Sequence, residues 1–243
     1  MTARFFPIFT VCLAMVLQAG PGANAAEPEQ GFISMFNGKD LAGWDGKPGW
    51  WSVEDGAITS QTTPEKTLTQ PNYLIWKGGE PGNFDMRFEF RIIGGNSGVQ
   101  IRSKLLPDWD TNGYQADIED GTQWVGCLFE HTRVALGLRG EKVVIDEDGT
   151  RHVTKVADPA ELLKHIRRQE WNDYRILADG SDILLQINGA TFTEVSDYQK
   201  DMAASSGVIG LQIHPGPPMK VQFRNLRIRM LKSEDEKENE RIR

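Results

Sequence analysis

Cysteine is nearly absent from this chain, and that shortage limits its chemistry. Only two occur in 243 residues, and Cys12 lies in an apolar stretch at the N-terminus. Cys127 then stands alone, so no intramolecular disulfide is available, and no His or Asn pattern supports a Cys-based nucleophile. Between Gly126 and Leu128 it reads as a small core residue. No His/Cys cluster has zinc spacing. Asp146-Glu147-Asp148-Gly149 lacks the twelve-residue calcium-loop pattern, so no metal site is predicted. A dinucleotide fingerprint, a Gly-rich phosphate loop and a Gly-x-Ser-x-Gly elbow are all missing, which leaves no cofactor to predict. Basic excess is missing too. Formal net charge is -7, and no Lys/Arg run is interleaved with aromatics, so nucleic acid and anionic membranes are poor partners.

What is present begins with a processing signal. Arg4 supplies a positive start, Phe5 to Leu17 form an apolar run too short to span a bilayer, and Ala23-Asn24-Ala25 fits a cleavage site. Residues 1–25 are therefore expected to be a signal peptide, placing the protein in a bacterial periplasm or beyond; a membrane anchor is the alternative reading. From Lys232 the chain is charged with no apolar face, and 232–243 is expected to be a disordered tail.

Between these ends the hydrophobic period is two. Phe84, Met86, Phe88, Phe90 and Ile92 alternate with Asp85, Arg87, Glu89 and Arg91. Hairpins are predicted at Asp55-Gly56 and Asn188-Gly189, and a strand over 31–38 closing in an Asn37-Gly38 turn. Asp158-Pro159 is a helix start for a short helix. Around a dozen short strands with Gly, Asn and Asp turns predict an all-β fold, a two-sheet antiparallel sandwich over 31–231.

One stretch concentrates polar chemistry. In Asn96 to Ser103, Val99 and Ile101 point one way and Gln100 and Arg102 the other. In Gly113 to Asp120, Tyr114, Ala116 and Ile118 share a face, opposite Gln115, Asp117 and Glu119. Trp124 to Glu130 follows. Near the end, Gln212 and His214 share a face opposite Leu211 and Ile213.

These motifs, with Phe36-Asn37-Gly38-Lys39-Asp40-Leu41-Ala42-Gly43-Trp44, Trp51 to Gly56 and Phe223-Arg224-Asn225-Leu226, resemble the 3-keto-disaccharide hydrolase domain family in order and extent. The resemblance implies a concanavalin-like jelly roll acting on carbohydrate. The family's commonest pattern after Gly-Tyr has Glu, then Gln two residues on. Here Gln115 and Asp117 stand instead, as in a second subgroup whose carboxylate has moved along one strand face.

The implied substrate is a glycoside whose C3 hydroxyl has become a ketone. That ketone acidifies the C2 proton, so the glycosidic bond breaks by elimination followed by hydration. Such a site needs a base near C2, a donor near the enolate oxygen and an acid for the leaving oxygen. Asp117 is the candidate base, His214 the acid or alternative base, and Arg102 the enolate partner. Asn96, Gln100, Gln115, Glu119, Trp124, Glu130 and Gln212 are candidates to hold the sugar, with Trp109 and Tyr114 as further stacking platforms. A cross-strand salt bridge between Arg102 and Asp117 is the plainer reading of that pair. A carbohydrate-binding module without turnover is the competing function.

Overall fold

The computed structural model describes residues 29–232. The expected signal peptide, and the expected tail beyond Lys232, lie outside the described residues. Seventeen strands and one α-helix follow in order: β1 (Ile33–Ser34), β2 (Trp44–Gly46), β3 (Trp51–Glu54), β4 (Ala57–Thr62), β5 (Asn72–Trp76) and β6 (Phe84–Ile93). Then come β7 (Asn96–Leu106), β8 (Asp110–Glu119), β9 (Leu128–Glu130), β10 (Val134–Gly137), β11 (Glu141–Ile145) and β12 (Arg151–Lys155). After α1 (Pro159–Leu163) run β13 (Asn172–Asp179), β14 (Asp182–Ile187), β15 (Ala190–Asp197), β16 (Val208–Ile213) and β17 (Met219–Met230).

They form two sheets. The larger runs β12-β11-β15-β14-β13-β6-β17-β4-β3, with β1 also on β17; the smaller runs β10-β9-β8-β7-β16-β5-β2. Pairing is antiparallel except between β11 and β15, which are parallel. The core lies between the sheets. Phe84, Met86, Phe88 and Phe90 of β6 fill it from one side, and Val99, Ile101, Ala116, Ile118, Leu211 and Ile213 from the other. This is the two-layer arrangement that the alternation predicts.

The short helix forms where expected. The Asp158 carboxylate accepts from the amides of Ala160 (2.7 Å) and Glu161 (3.3 Å), with Pro159 at the first position. The hairpins at Asp55-Gly56 and Asn188-Gly189 also form, each with both residues at positive φ. Asn37-Gly38 does not close a hairpin. The Asn37 Oδ1 accepts from the Lys39 and Asp40 amides, an Asx-type turn that ends pairing at Ser34, so only two of the eight expected residues are strand. Strand β12 carries no signal to find, because all five of its residues are exposed.

Phe88 sits at the centre of the core, with ring centroids of Tyr174 and Phe223 at 5.3 and 6.1 Å. Phe88→Ala is expected to cost about 3–5 kcal/mol in urea unfolding. A loss below about 1 kcal/mol would show that the two sheets do not depend on this contact.

Candidate active site

The outer face of the seven-stranded sheet carries the polar positions of its three central strands. Across β7 and β8, Gly98 lies opposite Asp117 and Gln100 opposite Gln115. Across β8 and β9, Gln115 lies opposite Phe129, and across β16 and β5, Gln212 lies opposite Tyr73. The same period that buries Ala116 and Leu211 therefore turns these side chains outward together.

Above them lies a cleft of about 410 Å³. Asn96, Gln115, Asp117, Glu119, Gln212 and His214 supply its polar surface, and Trp124, Phe129, His131 and Pro71 the rest. Its floor is a chain of hydrogen bonds. Ser103 Oγ donates to Gln100 Oε1 (2.5 Å), and Gln100 Nε2 to Gln115 Oε1 (2.8 Å). Gln115 Nε2 donates to Asp117 Oδ1 (2.8 Å) and, at 3.3 Å, to Gln212 Oε1. Gln212 Nε2 donates to Tyr73 Oη (2.9 Å), which lies 3.4 Å from His131 Nε2. Gly98 makes this possible. A Cβ there would sit 2.6 Å from Gln115 Cγ, so only glycine lets Gln115 lie across the floor to Asp117.

Asp117 is 3% exposed. Burial pushes its pKa up to about 8 against the single amide bond from Gln115, with the Glu119 charge adding to the rise. Such a carboxyl exchanges its proton near neutral pH, which an ordinary surface Asp does not.

The aromatic wall stands edge to face, with Trp124 and Phe129 centroids 6.3 Å apart and Phe129 and His131 5.6 Å apart. Glu119 Oε2 accepts from the backbone amides of Gln123 and Trp124, both at 2.8 Å. From below, the Arg139 guanidinium donates to the carbonyls of Thr122, Val125 and Pro159. The Trp124 loop is thus clamped on both sides.

Seven sequence-predicted residues meet at this cleft: Asn96, Gln115, Asp117, Glu119, Trp124, Gln212 and His214. Gln100 lies beneath it, fully buried, and reaches it only through Gln115. Arg102 and Glu130 lie elsewhere. A bulge between Ile101 and Lys104, with Arg102 at φ 45, breaks the alternation that would have faced Arg102 outward. Its guanidinium instead donates to the carbonyls of Gly82 and Gly180, both at 2.8 Å, and forms no bridge to Asp117. Glu130 lies opposite Tyr114, on that residue's side of the sheet, and is bound by Thr132 and Arg133. Tyr114 is core, its Oη donating to Asp197 at 2.6 Å, and Trp109 packs on Tyr73, Ile75 and Val208. Cys127 is buried, which pushes its thiol up to about 11 and fits the core reading.

His131, at the end of the third strand segment beside Glu130, is a polar candidate of the sequence that the cleft takes in, whereas Phe129 is not among the predicted site residues. Their signal is in the sequence, since Leu128 and Glu130 alternate with them. Among the described residues no group of three or more His, Cys, Asp or Glu side chains could hold a metal ion, and no helix is long and apolar enough to cross a membrane.

Residues 31–229 match the 3-keto-alpha-glucoside-1,2-lyase-like domain. The chain belongs to that family. Its fold is shared with two provisionally named glycosyl hydrolases from Parabacteroides distasonis ATCC 8503. One is 22% identical, with a TM-score of 0.57 over 82% of this chain and 99% of the other. The second is 18% identical, with a TM-score of 0.56 over 83% and 94%. A Bacillus subtilis protein of unknown function with a galectin-like fold is 11% identical, with a TM-score of 0.50 over 78% and 90%. None of the curated proteins matches it. The lyase-like domain is therefore a two-sheet jelly roll with the cleft on the outer face of one sheet.

Asp117 also makes the family member's stability depend on pH. The folded chain keeps that proton up to about pH 8, whereas the unfolded chain releases it near 4, so stability falls as pH rises through this window. Asp117→Asn is expected to melt higher than the parent at pH 8, by on the order of 5 °C, and to match it more closely at pH 4. Parallel melting curves across that range would refute the raised pKa.

Proposed function

We propose that the cleft binds a 3-keto-glycoside and that Asp117 removes its C2 proton. The observation that carries this is a buried carboxyl with a pKa of about 8, on a floor of neutral amides. A general base is most effective when its pKa lies near the pH of the medium. The ketone at C3 brings the C2 proton within reach of such a group. As Asp117 takes it, the electron pair forms the C1–C2 double bond and the aglycone oxygen leaves C1 with a proton. Water then adds to the unsaturated product. Ordinary glycosidases instead place two carboxylic groups across the scissile bond. Here the second carboxylate, Glu119, shares the strand face of Asp117 and has an oxygen committed to the Trp124 loop.

The other roles follow from placement. His214, at the end of β16 with Nδ1 2.6 Å from the Pro215 carbonyl, is the acid for the leaving oxygen. Asn96 holds sugar hydroxyls or the enolate oxygen, a task not open to Arg102, whose guanidinium is turned to the Gly82 and Gly180 carbonyls. Gln115 orients Asp117, and Gln212 holds Gln115 in place. Trp124 and Phe129 form the stacking surface for a pyranose face. A glycoside of this kind implies an oxidoreductase elsewhere that makes the ketone.

The test is release of a chromogenic aglycone from a 3-keto-glucoside beside the unoxidised glucoside. Release from the keto form alone is expected, with kcat/KM rising as pH approaches 8 and Asp117 loses its proton. Asp117→Asn should lower kcat about 10²–10⁴-fold, the range for removal of a general base. Gly98→Ala, which displaces Gln115, should lower kcat/KM at least tenfold without unfolding the protein. Full activity in Asp117→Asn would overturn the assignment. Saturable sugar binding with release from neither glucoside would make this a binding module.

A further inference from the structure

The opposite face of the molecule has a character that the cleft does not explain. On the outer side of the ten-stranded sheet, Arg87 of β6 lies directly opposite Arg175 of β13 and Arg227 of β17. Like charges facing each other across strands are destabilising, and here three stand in one row. Arg229 follows two residues along β17. The chain as a whole is at -7, so this patch opposes the sign of the rest.

Compensation within the patch is incomplete. Asp85 is fully buried beneath the row and accepts from Arg87 (2.8 Å), Arg175 (2.9 Å) and Arg229 (3.2 Å). The second carboxylate is different. Glu29 reaches in from the N-terminal lead, 44% exposed, and bridges Arg87 Nη1 at 2.5 Å and Arg227 Nε at 3.5 Å. Four guanidiniums thus share two carboxylates, one sealed in and one at the surface. Phe32 stacks under Arg87 and Arg229 and fixes their planes, with guanidinium carbons 4.7 and 4.9 Å from its centroid. Beside the row is a cavity of about 220 Å³ among Arg87, Arg175, Arg227, Gln186 and Asp173; Asp173 lies 4.0 Å from Arg167.

We propose that this arginine row binds an acidic glycan bearing one uronate carboxylate per sugar. Glu29 holds the position of one such carboxylate when no glycan is bound. Guanidinium is the side chain suited to two-point recognition of carboxylate. Adjacent strands lie roughly 4.8 Å apart, comparable with the repeat of an extended pyranose chain, so arginines on β13, β6 and β17 meet successive sugars. A glycan suits a member of a 3-keto-alpha-glucoside-1,2-lyase-like family, and this face works independently of Asp117.

The experiment is retardation of the purified protein in gels containing polygalacturonate, dextran or dextran sulfate, at low and raised salt. Polygalacturonate is expected to retard it, dextran not, with the effect weakening as salt rises. Arg227→Gln, which leaves Asp85 and its partners in place, should weaken retardation at least tenfold; Glu29→Gln should strengthen it severalfold; Asp117→Asn should leave it unchanged. No retardation of either the parent or Glu29→Gln would overturn the proposal. So would equal retardation by dextran sulfate, which marks an unselective positive field. Loss in Asp117→Asn would place binding in the cleft. Should Arg227→Gln fail to fold, unchanged or weaker binding by Glu29→Gln overturns the proposal alone.

Discussion

A carboxyl group shut away from water is tolerated only where its surroundings accept both of its protonation states, and the cleft is built around that requirement. Asp117 is met by an amide, not by a cation. An arginine at that distance would hold the charge permanently and draw the pKa down, as happens at Asp85, where burial works against the charge but Arg87 and Arg175 prevail and the pKa is lowered. The amide of Gln115 leaves the balance to desolvation. Two buried carboxylates on two sheets of one protein thus end in opposite states, one committed to charge and the other poised.

The amide chain reaches well beyond Asp117. Ser103, Gln100, Gln115, Gln212 and Tyr73 come from four strands, and each holds the next. Because donors and acceptors are spent on one another, the floor presents little uncommitted hydrogen-bonding capacity, and a ligand is left to Asn96, His214, Asp117 and the aromatic wall. Glutamines in such a chain resist substitution by smaller amides, since shortening one breaks the contact on each side of it.

Much of this was legible in the residues. Alternation along β8 and β16 puts Gln115, Asp117, Glu119, Gln212 and His214 on one side, and a period of two admits no other arrangement while the strands remain regular. Arg102 fails for the complementary reason. A bulge adds a residue and inverts the facing, and nothing in Ile101 to Lys104 announces it; its partners lie across the sheet, where Gly113 and Gly207 approach the backbone of Ser103 so closely that neither admits a side chain. Glu130 sits one position from Phe129 and His131, so its parity turns it to the Tyr114 side of the sheet, away from the cleft. The Asn37-Gly38 pair shows local chemistry outweighing pattern, since the side chain completes a turn before the backbone can pair.

The double clamp on the Trp124 loop bears on how a ligand would arrive. Glu119 holds the loop from the cleft side and Arg139 from beneath, so the aromatic wall stands in its working position before anything binds. Its conformational entropy has been surrendered during folding and need not be surrendered again on association. The wall itself then needs no rearrangement to meet a ligand, and its selectivity is set by the shape of an already assembled surface.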